Sequence, residues 1–364
     1  MKILCVLDSH LGELHNIVPM FFHWGSNGEL KSCHIDFVYI GHNLNSSIIQ
    51  EELNILRPFV TFSLTVLPIV SPKITSKRKL FNFLLLSIRY VLLRNYDLTF
   101  IPYDQRDVFN IVFKIGSRKL VAVPHTTGDE VYSKDVFKNR NLRNKKKFPV
   151  LTKSTASSEY FLALGFHDCI VTGKYFECQE YLDLIHSNNE VKDETKKLCI
   201  FTLTRTSKLF SEKNWLQVHY DILISAAEAG FSNVFIKTHP SQPKEDLDDL
   251  FIFADKLSIK ILLVSGNPII AASRFDIFIT VLTSAGQHAK SVGKPVCCFA
   301  SFSMREEVKD FGNDPYPFKD LGVIELVSQK ELVQWLDSSN ELIVSSDPIK
   351  KPELLSLDQL YQLC

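Results

Sequence analysis

The chain has 364 residues, too many for one comfortable core, and its 45% hydrophobic and 23% charged residues match a globular protein of two domains. A formal net charge of zero gives no reason to expect a nucleic-acid binder. The charge is uneven, however: residues 72–96 carry six basic side chains and 138–153 seven more, with no acid in either stretch, so the amino-terminal half suits an anionic membrane or substrate.

In chain order, 2–7 reads as a first strand and not a signal peptide, because Asp8 and His10 follow at once. Strands are expected at 35–40, 61–67, 98–102 and 120–123, with helical spacing over 81–93 and 106–115. The apolar run 81–93 is interrupted by Asn82 and Arg89 and is too short for a membrane span. With Lys77, Arg78 and Lys79 before it, it fits either a helix lying on a membrane surface or a core helix. Strands at 148–155 and 170–173 enclose a helix over 157–164. The polar stretch 187–197 then has the composition of a linker.

Beyond it, strands are expected at 198–203, 233–238, 259–264, 277–283, 295–299 and 322–327. Helices alternate with them over 214–229 (ended by Gly230), 244–256, 268–274, 286–292 and 329–336. Such alternation predicts an α/β protein of two doubly wound, Rossmann-like domains facing a cleft. The expected division is 1–187, 198–345, and a tail or helix over 346–364. Eight cysteines without a CxxC pair read as reduced, buried thiols in a cytosolic protein rather than a zinc site.

Chemistry collects where strands end. Ligands of parallel α/β sheets bind outside the carboxyl ends of the strands. The strand before Pro240 delivers Lys237 and His239, and the strand after Asp276 delivers Thr283 and Ser284 at the start of a helix containing Gly286 and His288. These types suit a phosphate: a cation, an imidazole donor, hydroxyls, and a small residue that permits close approach to helix amides. Thr204 and Arg205 follow the first strand of the second domain and fit either a phosphate pocket or a polar loop. In the first domain the strand at 120–123 runs into His125, Asp129 and Glu130, the candidates for a general base. Asp246 and Asp248 form a DxD triplet, but inside an acidic helix, where a solvated face is expected instead of a metal site.

Lys237-Thr-His-Pro240, then Thr283-Ser284, then Gly293-Lys-Pro295 resemble the C-terminal domain of GT-B glycosyltransferases. The groups in view carry HP and Ser/Thr-Ser motifs: capsule-type Kdo transferases, sialyl- and polysialyltransferases, and CDP-glycerol glycerophosphotransferases. Ser154 to Glu159, Ile170-Val-Thr-Gly173, Phe201-Thr-Leu-Thr-Arg205 and Pro124-His-Thr-Thr-Gly128 are similar to further pieces of the glycerophosphotransferases. The resemblance implies a metal-independent enzyme without a cofactor. It would move a sugar or polyol phosphate from a nucleotide donor, cytidine-activated such as a CMP-sugar, to a glycan or glycolipid acceptor of a bacterial-type surface polysaccharide. Its implied place is the cytoplasm, with peripheral contact to the anionic inner face of the membrane. His288 stands where many such enzymes have a Glu that handles the donor ribose. A second resemblance, to non-hydrolysing UDP-sugar 2-epimerases, keeps that activity open beside a non-catalytic glycan-binding role.

Overall fold

The computed structural model describes residues 1–7, 12–41, 46–68, 95–102, 117–124, 148–163, 166, 168–173, 175–187, 196–207, 209–239, 242–264, 267–310, 315–316, 318, 323–341 and 354–364. The helices expected over 81–93 and 106–115 lie outside the described residues, as do Asp8, His10, His125, Asp129, Glu130 and most of the linker. Among the described residues two parallel sheets carry two compact units.

The first unit takes described residues up to Pro124, then 148 to Tyr181, and finally 354–364. Its strands are β1 (Lys2–Leu7), β2 (His34–Gly41), β3 (Thr61–Pro68), β4 (Tyr96–Pro102), β5 (Ser117–Val123), β6 (Val150–Thr152) and β7 (Cys169–Val171). They lie in the order β3-β2-β1-β4-β5-β6-β7, all parallel. Helix α1 (Gly12–Ser26) packs its apolar face on this sheet: Phe21 meets Phe37 and Phe100 edge-on, with ring centres 6.1 and 5.6 Å apart. The sequence reading did not find α1, because Pro19 sits inside it, where proline removes a hydrogen bond. Burial of Ile17, Val18, Phe21 and Trp24 outweighs that local preference. Two further helices are α2 (Ser46–Leu53) and α3 (Thr155–Ala163), while α4 (Gln179–Ser187) begins in this unit and has its residues from Leu182 on in the second.

The second unit takes described residues from Leu182 to residue 341. It holds β8 (Leu198–Thr202), β9 (Asn233–Lys237), β10 (Lys260–Val264), β11 (Ile277–Val281), β12 (Val296–Phe299) and β13 (Ile324–Leu326), in the order β10-β9-β8-β11-β12-β13. β8 and β11 are buried along their whole length, as parallel strands covered on both faces must be. Five helices alternate with them: α5 (Glu212–Glu228), α6 (Asp248–Lys256), α7 (Pro268–Arg274), α8 (Gly286–Ser291) and α9 (Phe302–Asp310). α10 (Gln329–Glu341) follows β13. Local chemistry sets the ends: Ser211 caps α5 by accepting from the Asn214 amide, and Gly230 stops it with φ +84°. The segment expected as one helix over 244–256 starts with a 3-10 turn (Glu245–Leu247) before α6.

The last described residues return to the first unit. The Trp24 indole donates to the Leu355 carbonyl at 2.8 Å, and the Leu357 amide donates to Glu29 at 2.6 Å. A capping box between Ser356 and Gln359 then opens α11 (Leu357–Leu363).

Both sheets change winding direction once, which opens a crevice at the strand ends. In the first sheet that point is between β1 and β4; the residues just after each lie outside the described residues. In the second it is between β8 and β11.

Candidate functional site

The register places the candidate residues of the second unit in one row. Phe201 of β8 pairs with Lys237 of β9, and Thr202 pairs with Val281 of β11. Thr204, His239, Thr283 and Ser284 therefore all follow within three residues of three adjacent strand ends, each strand about 5 Å from the next. The β8 and β11 contributions flank the crevice itself.

Backbone conformation shapes the β11 side. The strand stops at Val281, two residues earlier than the sequence suggested, because Leu282 turns into the left-handed region with φ +50°. A leucine held there is strained and is retained by its surroundings. The Thr280 hydroxyl donates to the Thr283 carbonyl at 2.7 Å, folding the Thr283–Ser284 turn back onto the strand. Gly286 then lies directly on Thr280: a Cβ at this position would sit 2.8 Å from Thr280 Cγ2 and 2.9 Å from its Cβ. Only glycine lets α8 start this close to β11.

The helix start differs from the expected open set of amides. The Ala285 amide donates to the Thr283 hydroxyl at 3.4 Å, Gly286 to the Thr283 carbonyl at 3.3 Å, Gln287 to the Ser284 carbonyl at 3.0 Å and His288 to the Ala285 carbonyl at 3.1 Å. Ala285 is the N-cap and no side chain caps the helix; the Thr283 hydroxyl only meets the Ala285 amide, and Ser284 makes no such bond. The half-buried hydroxyls of Ser284 and Thr204 have no protein partner among the described residues. His288 is 2% exposed, so its side chain lies within the unit instead of at an open edge.

On the β9 side the strand ends at Lys237, one residue short of expectation. Lys237 is buried, with its ammonium 3.4 Å from the Thr238 carbonyl. His239 is half-buried, and its carbonyl closes a turn by accepting from the Gln242 amide at 2.9 Å.

Arg205 is held by protein groups. Its guanidinium donates to the Asp246 carbonyl at 2.9 Å and the Asp249 carboxylate at 2.8 Å, with Glu212 at 3.6 Å, while its amide donates to Gln242. This clamp ties the loop after β8 to the turn before α6. The Asp246 carboxylate accepts from Gln242 at 2.9 Å. Among the described residues no group of three His, Cys, Asp or Glu side chains is placed to hold a metal.

A buried network that sequence reasoning missed lies under the same loop. His219 of α5 stacks on Trp215 with ring centres 3.9 Å apart, and its Nδ1 lies 2.7 Å from the Trp215 carbonyl. A carbonyl only accepts, so Nδ1 carries the proton and Nε2, 2.9 Å from the Thr202 hydroxyl, accepts from it. Burial lowers the His219 pKa to about 4, keeping the ring neutral. The Trp215 indole donates to the Leu203 carbonyl at 3.0 Å, so α5 holds the last turn of backbone before Thr204. A lone histidine on an apolar helix face gave no signal beyond an ordinary core residue.

The eight cysteines are all unpaired, five buried and three half-buried, and burial raises their thiol pKa values. No described helix is long and apolar enough to cross a membrane.

No protein-family model and no curated protein matches the sequence. Solved structures do match. The UDP-GlcNAc 2-epimerase from Neisseria meningitidis, bound to UDP-GlcNAc, is 13% identical over 93% of this chain and 94% of its own, with a TM-score of 0.58. MnaA from S. aureus, in a co-structure with UDP, is 12% identical over 95% and 88%, with a TM-score of 0.57. HepE from Anabaena, in complex with UDP and glucose, is 14% identical over 94% and 90%, with a TM-score of 0.52. At such identities the likeness is one of fold. Two parallel-sheet, Rossmann-like domains of the GT-B class make up this chain.

Proposed function

We propose that this chain is a glycosyltransferase that binds a nucleotide-activated sugar at the carboxyl edge of its second sheet and passes the sugar to an acceptor hydroxyl. The observation that carries this reading is the gathering of Thr204, His239, Thr283 and Ser284 at the β8–β11 crevice and the neighbouring β9 end. The hydroxyls of Thr204 and Ser284, without protein partners among the described residues, beside an imidazole are what a diphosphate or monophosphate needs as donors. The three solved relatives carry UDP or UDP-GlcNAc, which supports a nucleotide ligand.

In this reading the acceptor oxygen attacks the anomeric carbon as the bond from that carbon to the nucleotide phosphate breaks. The acceptor proton passes to a base of the first domain, with His125, Asp129 and Glu130 as the candidates. His239, from an imidazole N–H, steadies the charge gathering on the leaving phosphate, the step at which preorganised donors contribute most. Lys237 acts from beneath as a fixed positive charge, and His288 supports the α8 wall. No metal or cofactor enters. The sequence motifs favour a cytidine-activated donor, such as a CMP-sugar, and a bacterial-type surface polysaccharide or lipooligosaccharide acceptor, met at the inner face of the membrane.

A second reading, a UDP-sugar 2-epimerase, is favoured by the fold likeness to the Neisseria enzyme. Incubation of the protein with UDP-GlcNAc alone, and with CMP- and UDP-sugars plus glycan acceptors, separates the two. Transfer predicts nucleotide release that depends on an acceptor. Conversion of UDP-GlcNAc to its C2 epimer without acceptor establishes the second reading instead.

A further inference from the structure

The polar groups under the loop after β8 form a closed set of hydrogen bonds that the proposed reaction does not use. Trp215 and His219 stand one turn apart on the same face of α5, both buried, and Thr202, the last residue of β8, is buried beside them. Three protons meet three acceptors. The His219 Nδ1–H donates to the Trp215 carbonyl at 2.7 Å, the Thr202 hydroxyl donates to His219 Nε2 at 2.9 Å, and the Trp215 indole donates to the Leu203 carbonyl at 3.0 Å. The Thr202 oxygen also lies 3.0 Å from the Leu203 carbonyl, but its one proton is taken by the imidazole. The Leu203 carbonyl therefore depends on Trp215 for its donor.

Such a network adds little stability, because apolar side chains of the same shape would fill this part of the core nearly as well. What it adds is direction. The indole bond fixes the peptide plane between Leu203 and Thr204 from one side. From the other, the Thr204 carbonyl closes a turn by accepting from the Ser207 amide at 3.0 Å. The half-buried hydroxyl of Thr204 has no protein partner among the described residues. A donor whose backbone is held on both sides, and whose own hydroxyl is uncommitted, binds an anion without a further ordering cost on association.

We propose that Trp215, His219 and Thr202 are positioning residues, which preorganise the Thr204 hydroxyl as a phosphate donor of the second unit. The role of Thr204 itself rests on the nucleotide reading above.

Calorimetric titration of UDP, CMP, CDP and GDP into the parent selects the nucleotide that binds tightest, and a double-mutant cycle through Thr204 then tests the proposal. Thr204→Ala weakens that nucleotide about tenfold, the loss of one hydrogen bond to a charged group. Trp215→Phe keeps a ring stacked on His219 and removes only the indole donor; it weakens the nucleotide about fivefold or more, as does Thr202→Val. Thr202→Ser, which keeps the hydroxyl, stays within about twofold of the parent. A merely structural role would lower the melting point without touching Thr204. Acting through Thr204, Trp215→Phe costs less than about twofold once Thr204 is already alanine. Parent-like affinity in both Trp215→Phe and Thr202→Val, or the same loss with and without the Thr204 hydroxyl, overturns the proposal. In the unaltered chain, saturating nucleotide slows exchange of the Trp215 indole proton about threefold or more, since coupling between site and network is reciprocal. An unchanged rate overturns the proposal even if both variants fail to fold. A parent that binds none of the four nucleotides overturns the nucleotide reading as well, whereas additive losses in a parent that binds overturn this proposal alone.

Discussion

Gly286→Ala probes the β11–α8 junction with a single methyl group. The glycine is not at positive φ, so alanine is sterically allowed by its own backbone and would gain up to about 1 kcal/mol of helix propensity. The added Cβ, however, falls 2.8 Å from Thr280 Cγ2 and 2.9 Å from Thr280 Cβ, on a residue with no exposed surface. Rotating Thr280 moves its methyl but not its Cβ, and breaks its 2.7 Å hydrogen bond to the Thr283 carbonyl. The helix start must therefore move away from the strand. Overpacking of this kind costs about 1–3 kcal/mol, which exceeds the propensity gain. The displacement also carries Ser284 off its position, and loss of one hydrogen bond to a charged group is worth about 1.5–3 kcal/mol of nucleotide affinity. Denaturant unfolding and nucleotide titration of the variant read both effects. A variant as stable as the parent, with unchanged nucleotide affinity, would refute the claim that this close approach builds the site.

Arg205→Met should lower stability by about 1–2 kcal/mol, because it removes the bonds to Asp246 and Asp249, the latter half-exposed and so discounted. Nucleotide affinity should change little; a hundredfold loss of affinity without a change in melting would make Arg205 a phosphate ligand instead. His219, buried with its pKa lowered from 6.5 to about 4, resists protonation only in the folded chain. Its contribution is complete above pH 6.5 and is lost as pH falls toward 4, so about 2 kcal/mol should disappear between pH 7 and 5. Unfolding of the parent and of His219→Gln at both pH values checks this, and an identical pH dependence in the two would exclude it. His239→Ala should reduce transfer about a hundredfold while the protein remains folded; near-normal turnover would remove His239 from the mechanism.

The alternation of strands and helices made the second unit legible, since β8, β9, β11 and α7 are each signalled by composition and by their flanking residues. Pro19 hid α1, whose formation depends on aromatic burial against β2 and β4 and so on tertiary structure. The last segment, 346–364, was expected as a tail or helix, but not which unit α11 joins. At the site, the strand-end hydroxyls and His239 could be named from sequence. The engagement of Arg205 could not, because Asp246 and Asp249 meet it only once the sheet has formed. Nor could it be told that neither Thr283 nor Ser284 caps α8, since the helix start follows from the left-handed turn at Leu282.

Nucleotide binding at the β8–β11 crevice is the claim on which the rest depends, and calorimetric titration of UDP, CMP, CDP and GDP into the parent and Ser284→Ala proteins tests it most directly. At least one nucleotide should bind the parent saturably, and Ser284→Ala should weaken it by about 1.5–3 kcal/mol, tenfold or more. The melting point should not move, because no side chain caps α8 and the Ser284 hydroxyl has no protein partner among the described residues. A folded parent that binds none of the four, or a Ser284→Ala protein that melts earlier yet binds as well as the parent, would contradict the account.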